Sequence, residues 1–236
     1  MTGTEIVVVL ATMTAGYLLG SLPFGLLIGK CRGVDIRRAG SGNIGATNVW
    51  RVLGPRCGLA AFALDTTKGL LPMVAVPPLW RQIGADPAAA GSGWSWYAAW
   101  LAVGAAVIFG HVFPCYLGFR GGKGVATSLG VVLGVWPYYT LPGLACFGLW
   151  GLTLAITRYV SVSSIVAASA FPAAYLALAL ARGWDPFGRQ APLLAFAVVM
   201  ATLVVYRHRS NVQRLLAGQE YRLGERPTGG ADGSAA

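Results

Sequence analysis

The chain has 236 residues, of which 56% are hydrophobic and only 11% are charged, and its formal net charge is +10. A water-soluble domain carries about 25% charged residues, so this composition excludes an ordinary soluble fold and predicts that most of the surface faces lipid. The basic residues lie between apolar stretches and form no continuous stripe. This distribution argues against nucleic acid as a partner and favours anionic headgroups or phosphorylated substrates.

Long apolar stretches predict an all-α fold, a polytopic transmembrane helix bundle of about seven spans. A span needs roughly 20 mostly apolar residues, and the candidates are residues 5–28, 57–79, 96–117, 124–137, 138–157, 160–181 and 190–206. The fourth is short and runs into the fifth at Trp136-Pro137, so five or six spans remain open. We expect one integral membrane domain over residues 1–223 and a disordered tail over 224–236, which is rich in Gly, Pro and Ala.

The positions of Lys and Arg predict the orientation, because cytoplasmic loops carry an excess of both. With the N-terminus outside, 14 of the 18 Lys and Arg fall in the first, third and fifth loops and the C-terminal tail, against 3 in the other loops. We therefore expect the first loop, the third loop and the C-terminus to share the cytoplasmic face.

The first loop contains the densest group of polar residues, in the segment Gly40 to Asn48. Its glycines allow tight turns and close approach to a ligand, and consecutive N–H groups in such turns can hold an anion. The residues around this backbone that carry hydroxyl, amide or guanidinium groups are Ser41, Asn43, Thr47, Asn48, Arg37, Arg38 and Arg51. A solvated loop whose arginines serve only the orientation is the alternative. The density of small polar residues favours a phosphate-binding loop.

The third loop, residues 119–124, repeats this pattern as Phe-Arg-Gly-Gly-Lys-Gly. Lys123 would stand at the start of a helix, where free N–H groups favour an anion. It is not a nucleotide-binding P-loop, because Leu117 and Gly124 replace the Gly and Ser/Thr that this motif requires. A plain basic turn is an equally good interpretation of this segment alone.

Three further polar groups fall in or next to apolar stretches. Asp65 and Lys68 lie on one face of the second span and form either a mutually neutralising structural pair or part of a polar site. Thr66 and Thr67 add further polar groups there, which favours the polar site. For His111, a buried residue hydrogen-bonded to a neighbouring carbonyl is a slightly better interpretation than a catalytic residue. His208 opens the basic tail, and a catalytic role and a solvated one are equally open.

Four segments in order resemble the signatures of the bacterial acyl-phosphate:glycerol-3-phosphate acyltransferases, the PlsY family. They are Gly40-Ser41-Gly42-Asn43-Ile44-Gly45-Ala46-Thr47-Asn48-Val49-Trp50-Arg51; Asp65-Thr66-Thr67-Lys68-Gly69; Gly110-His111-Val112-Phe113-Pro114 through Gly121-Gly122-Lys123-Gly124-Val125-Ala126-Thr127; and His208-Arg209-Ser210-Asn211 with Gly218-Gln219-Glu220. Together they extend over nearly the whole chain, from about residue 20 to residue 220. Four signatures in order are more specific than any one of them.

The resemblance implies a catalytic membrane domain, without metal or cofactor, in the bacterial inner membrane and with its active site facing the cytoplasm. It implies transfer of a fatty acyl group from acyl phosphate to the 1-hydroxyl of glycerol 3-phosphate, giving lysophosphatidic acid and phosphate in the first step of phospholipid synthesis. It also implies a functional link to the enzyme that makes acyl phosphate. The catalytic residues expected are Ser41, His208 and Asn211. The substrate-binding residues expected are Gly40, Gly42, Asn43, Gly45, Thr47, Asn48, Arg51, Lys68, Gly122, Lys123 and Gly124.

Within this scheme Arg51 and Lys123 would clamp phosphates, and Ser41 with the loop N–H groups would support the developing oxyanion. His208 and Asn211 would orient the attacking hydroxyl, whose proton would pass to His208 or to the donor phosphate. The His-x-x-x-x-Asp dyad of another acyltransferase class is absent, which disfavours acyl-CoA or acyl-carrier-protein chemistry of that type. A transporter for a phosphorylated solute is the main alternative, and a scaffold that docks on anionic lipid is a weaker one.

Overall fold

The computed structural model describes residues 1–84 and 93–224, and over these residues all regular structure is helical. The expected tail at 224–236 lies outside the described residues except for Gly224. The helices are α1 (Gly3–Gly20), α2 (Phe24–Cys31), α3 (Ala46–Leu53), α4 (Pro55–Arg81), α5 (Trp94–Val112), α6 (Val125–Gly134), α7 (Thr140–Thr157), α8 (Val160–Ala181), α9 (Ala191–Arg207) and α10 (Arg209–Leu216). Short 3-10 turns cover Ile36–Arg38 and Cys115–Leu117.

Within the described residues, five helical stretches are long and apolar enough to cross a membrane, and a sixth is added if α9 and α10, bent by 46°, count as one. The fourth candidate from the sequence is a helix of only 10 residues, α6. At 1.5 Å per residue it extends about 15 Å, half of the hydrocarbon thickness, so the expected helix over 124–137 was too long. The total of seven spans stays a prediction.

Large apolar side chains on these helices point away from the protein interior. Val7 is 65% exposed, Leu152 60%, Ile156 74% and Leu180 60%. Runs of such residues along several helices form a surface that lipid covers, since the helices satisfy their own backbone hydrogen bonds. The protein is therefore a multi-pass membrane protein, as expected from its composition.

Glycines bring the central helices into backbone contact. A methyl group placed at Gly69 of α4 would lie 2.2 Å from the Thr127 carbonyl of α6, and one at Gly130 of α6 would lie 1.9 Å from the Thr66 carbonyl of α4. Helices α1 and α5 meet in the same way at Gly20. Close approach through small residues is the usual way in which membrane helices associate. It makes α4, α5 and α6 a rigid support for the loops at one end.

The first loop has a small apolar core of its own. Leu26, Ile36, Ile44, Val49 and Cys57, all buried, pack together beneath it. This core joins α2, the loop, α3 and the start of α4. The polar loop residues are therefore carried on a packed unit.

Candidate functional site

An open cavity of about 380 Å³ lies at the end of the bundle where the first loop, the third loop and the C-terminal segment meet. The predicted residues that line it are Ser41, Asn43, Gly45, Thr47, Asn48, Arg51, Lys123, Gly124, His208 and Asn211. They come from three sequence regions up to 170 positions apart. The predicted residues that do not line it are Gly40, Gly42, Lys68 and Gly122.

Asn48, which is 1% exposed, holds the first loop in shape. Its Nδ2 donates to the carbonyls of Ile36 at 2.9 Å and Ala39 at 3.1 Å, and its Oδ1 accepts from the Ser41 amide at 2.8 Å. Both protons of Nδ2 are used, so this amide group has no donor left for a substrate. Asn48 therefore shapes the site although it was predicted to bind substrate directly.

Three amides of the first loop are already engaged within the loop. Those of Ser41, Gly42 and Gly45 donate within the loop, to Asn48 Oδ1, the Ala39 carbonyl and Asn43 Oδ1 respectively. Ala46 and Thr47, which line the cavity, instead open α3, where the first amides of a helix have no partner within it. Backbone amides without a partner in their own helix therefore reach the cavity at the start of α3.

Gly40 and Gly42 shape the turn from outside the cavity. Both have positive φ, +59° and +69°, a region that L residues rarely adopt. A methyl group at Gly40 would also lie 2.4 Å from Asn48 Oδ1. The structure gives both glycines a conformational role, and their predicted contact with substrate stays a prediction.

Two predicted cations, Arg51 and Lys123, enter the cavity from different loops. The Arg51 guanidinium contacts Asn48 Oδ1 at 3.4 Å and lies 4.5 Å from the centre of the Tyr221 ring. Burial lowers the pKa of Arg51, but an arginine stays protonated in proteins. Burial, the largest cause, also lowers the pKa of Lys123 to about 8, and Glu220 opposes that shift. Arg51 and Lys123 therefore bring two partly buried cations to the site, besides Arg214, which is paired with Glu220.

The third loop is fixed against α5 and α9. Gly122 is buried, and a methyl group there would lie 2.2 Å from Nε2 of His111. Its amide donates to the His111 carbonyl at 3.1 Å, and its own carbonyl accepts from Arg207 NH2 at 2.9 Å. Gly122 is thus a packing residue beside the cavity, and Lys123 is placed by that packing.

A hydrogen-bonded chain runs along the wall formed by α10 and the C-terminal segment. Lys123 Nζ donates to Asn211 Oδ1, and Asn211 Nδ2 donates to Glu220 Oε1 at 2.6 Å. Glu220 also accepts from Ser161 Oγ at 2.8 Å and from Arg214 Nε at 2.9 Å. His208, 3% exposed, places Nδ1 2.8 Å from the Val204 carbonyl. Because a carbonyl only accepts, Nδ1 carries the proton, and Nε2 of the neutral ring is the acceptor.

Asp65, Lys68 and His111 meet in the bundle beside the cavity. Lys68 Nζ is 2.7 Å from Asp65 Oδ1 and donates to the Leu22 carbonyl at 2.7 Å, while His111 Nδ1 lies 3.6 Å from Asp65 Oδ1. Asp65 and His111 line the cavity, but Lys68 does not. Its ammonium contacts two protein oxygens, and the predicted contact of Lys68 with substrate stays a prediction.

A second, apolar cavity of about 130 Å³ lies deeper in the bundle, between α4 to α9. Phe62, Val125, Phe147, Trp150 and Ser164 line both cavities, so the two adjoin. The apolar cavity continues along α9 through Val204, Ala201 and Phe196. At 1.5 Å per residue, the distance along α9 from position 208 to position 196 is about 18 Å, comparable with a long alkyl chain.

Several lining residues were not predicted as site residues. Those from α8, α10 and the C-terminal segment that have polar side chains near Lys123 or Arg51 include Arg214, Glu220, Tyr221 and Ser161. Glu220 belongs to the fourth signature, which was a usable signal. Nothing in the local sequence marks Tyr221 or Ser161, because only the folding of the C-terminal segment onto α8 brings them in. Within the described residues, no group of three or more His, Cys, Asp and Glu is arranged to hold a metal ion.

A lipid-facing helix bundle with a cationic cavity that adjoins an apolar one defines a multi-pass membrane protein whose site suits anionic amphiphiles. The family profile described as glycerol-3-phosphate acyltransferase matches residues 10–218. Two relatives carry that name. One, from Geobacter sulfurreducens, is 45% identical over 208 residues, 88% of this chain and 93% of the relative. The other, from Aquifex aeolicus, is 42% identical over 208 residues, 88% and 95% of the two chains.

Two solved structures are similar to this chain and indicate the same family. The crystal structure of PlsY (YgiH), an integral membrane glycerol 3-phosphate acyltransferase, in its glycerol 3-phosphate form superposes with a TM-score of 0.74 at 38% identity, covering 92% of this chain and 96% of that one. Its lysophosphatidic acid form gives 0.73 at 37% identity, with 92% and 95% covered. This chain belongs to the glycerol-3-phosphate acyltransferase family, which confirms the resemblance found in the four signatures. The transporter alternative finds no support among these relatives.

Proposed function

We propose that this protein transfers a fatty acyl group from acyl phosphate to the 1-hydroxyl of glycerol 3-phosphate, giving lysophosphatidic acid and inorganic phosphate. The observation that carries the proposal is the junction of a cationic cavity with an apolar one, because a fatty acyl phosphate combines both chemistries in one molecule. Family membership and the lysophosphatidic acid form of the PlsY relative support the same reaction.

The phosphate groups would occupy the polar cavity. Arg51 can grip a phosphate with two parallel hydrogen bonds, and Lys123 can offer a point charge from the opposite loop. Ser41 Oγ and Thr47 Oγ1 have no hydrogen bond to any described residue, so their hydroxyls are available to a substrate. The acyl chain would pass the shared wall at Phe147 and lie along α9 in the apolar cavity.

The reaction needs no covalent enzyme intermediate, since acyl phosphate is already activated. The substrate hydroxyl oxygen bonds to the acyl carbon, the bond from that carbon to the phosphate oxygen breaks, and phosphate leaves with the electron pair. The proton of the attacking hydroxyl ends on the released phosphate, either directly or through His208 Nε2. His208 Nε2 accepts the hydrogen bond of the attacking hydroxyl, in the tautomer that the Val204 carbonyl selects. Asn211, held between Lys123 and Glu220, keeps that part of the wall fixed. Catalysis then rests on positioning and on charge stabilisation.

We further propose seven crossings with the cavity at the cytoplasmic face of the bacterial inner membrane. Lys123 and Gly124, just before α6, and Leu154 and Val160, which flank the turn after α7, line the same cavity. The chain must therefore leave the cavity end through α6 and return through α7, which makes α6 a short crossing. The excess of Lys and Arg at this end supports a cytoplasmic orientation. Residues 1–223 then form one catalytic domain, which depends on an enzyme that supplies acyl phosphate.

The deciding experiment incubates the purified protein with acyl phosphate and labelled glycerol 3-phosphate. We expect labelled lysophosphatidic acid and an equal amount of released phosphate, and no product when acyl-CoA replaces acyl phosphate. Lys123→Ala should reduce the rate strongly. Arg120→Ala in the same loop, an exposed residue outside the cavity, is the matched control and should keep it. Absence of product with acyl phosphate would overturn the proposal.

A further inference from the structure

Tyr221 is the one aromatic residue of the described C-terminal segment 218–224, and it lies on Arg51. The centre of the Arg51 guanidinium is 4.5 Å from the centre of the Tyr221 ring, within the range of a cation–π contact. The two residues are 170 positions apart, and both line the polar cavity. The guanidinium also forms a long hydrogen bond to Asn48 Oδ1, at 3.4 Å, and the charges of Glu220 and Arg214 act on it.

Stacking on a ring orients a guanidinium without using its donors. The five N–H groups of arginine lie in the guanidinium plane, so a ring that packs against the face of that plane leaves all five free. A carboxylate in the same place would take up two N–H groups and neutralise the charge. The ring therefore restricts Arg51 and removes water from it, and it leaves the planar edge free for a phosphate.

Tyr221 is itself held from both sides. Immediately before it, Glu220 accepts hydrogen bonds from Ser161, Asn211 and Arg214. After it, the Leu223 amide donates to the Arg158 carbonyl at 2.7 Å, and Arg158 NH2 donates to the Leu223 carbonyl at 3.1 Å. The C-terminal segment is thus tied across the cavity to the turn between α7 and α8. Contacts on both sides of Tyr221 therefore hold the backbone that carries the ring.

We propose that Tyr221 is a positioning residue for substrate phosphate, which acts by holding the Arg51 guanidinium with its edge toward the polar cavity. The inference rests on the proposed function, because it assigns Arg51 to a phosphate of that reaction. It adds a role for the C-terminal segment: this segment completes the phosphate site that the first loop begins.

The test compares Tyr221→Leu, which keeps most of the apolar volume, with Tyr221→Phe, which keeps the ring. In the leucine variant we expect the KM of a phosphate substrate, and the dissociation constant of inorganic phosphate, to rise about 3- to 30-fold, the range of a partly desolvated cation–π contact. We expect kcat to change less than threefold. The phenylalanine variant should match the parent protein in all three quantities. In an Arg51→Lys background the leucine substitution should have a smaller effect, because an ammonium has no planar edge to orient.

Tyr206 provides the matched control. Its ring lies 4.4 Å from the guanidinium of Arg209, so it forms the same kind of pair at the same end of the bundle, but it does not line the cavity. Tyr206→Leu should leave KM and phosphate affinity unchanged. Thermal unfolding of each variant shows whether it is folded.

Two results would overturn the inference. The first is a folded Tyr221→Leu protein with unchanged KM values and unchanged phosphate affinity. The second is a Tyr221→Phe protein as impaired as the leucine variant, which would assign the effect to the hydroxyl. Failure of the parent protein to make lysophosphatidic acid would instead refute the proposed reaction. The inorganic phosphate titration does not depend on acyl transfer, so the two failures are distinguishable.

Discussion

Replacing Asn48 by alanine separates construction of the first loop from contact with substrate. In the folded protein the buried amide of Asn48 joins Ile36, Ala39 and Ser41. The substitution removes these contacts and leaves two carbonyls and one amide without their partner. Water reaches the exposed part of the loop but not Ile36, which is fully buried.

The expected cost follows from those three contacts. At about 1 kcal/mol for each lost hydrogen bond, with a further ~1 kcal/mol for the desolvated carbonyl of Ile36, the free energy of unfolding should fall by about 4 kcal/mol. Asn43→Ala is the control on the same loop. It removes a single hydrogen bond, from the Gly45 amide, and should cost about 1 kcal/mol.

The assay is thermal and denaturant unfolding in detergent micelles, followed by acyl transfer on the folded fraction. We expect Asn48→Ala to be less stable than Asn43→Ala and to lose activity through displacement of Ser41 and Arg51. If Asn48→Ala kept the stability of the parent protein and only raised KM, the assignment of Asn48 to the loop would be wrong. Direct substrate contact, as first predicted from the sequence, would then be the better account.

Three further predictions test other parts of the site. Burial brings the pKa of Lys123 down to about 8, so the affinity for a phosphate substrate should be full below that pH and should fall as the pH rises through 8. Lys123→Arg keeps the charge over this range, so its kcat/KM should change little between pH 7 and 9. Gly122→Ala should reduce kcat/KM by about 100-fold, because the added methyl group displaces His111 or the third loop and a misplacement of roughly 1 Å has that effect. Gly148→Ala is the control and should leave kcat/KM unchanged, because its added methyl group meets open space. Ala201→Leu narrows the apolar cavity and should shift the preference toward acyl phosphates with shorter chains, measured as kcat/KM across a chain-length series. If kcat/KM fell equally for all chain lengths, the acyl chain would lie elsewhere.

The membrane class and most of the site residues could be read from the sequence. Composition and hydropathy are sums over residues, so folding does not alter them. Motif residues such as Ser41, Lys123 and His208 are recognisable because their chemistry and order along the chain are local properties. The same patterns placed the first and third loops at one end of the bundle, where the cavity lies.

Span ends and residue roles could not be read in this way. Hydropathy alone cannot show that α6 has only 10 residues, since apolar residues after a helix resemble apolar residues within it. The chemistry of Asn48 and Lys68 suits a ligand, and only their bonding partners in the fold show that protein oxygens and amides already engage them. A side chain's role depends on which neighbours have already satisfied its polar atoms, and those neighbours are distant in sequence.

By itself, then, the sequence determined that this is a lipid-embedded helical protein with phosphate-binding chemistry at one end, because charge, hydropathy and motif order belong to the chain. The tertiary structure decided which polar groups remain free to act. In the folded protein three amides of the first loop have partners within that loop, Gly122 packs on His111, and the C-terminal segment crosses the cavity so that Tyr221 contacts Arg51. Such pairings arise when helices far apart in sequence pack, so they are properties of the fold and of no single segment.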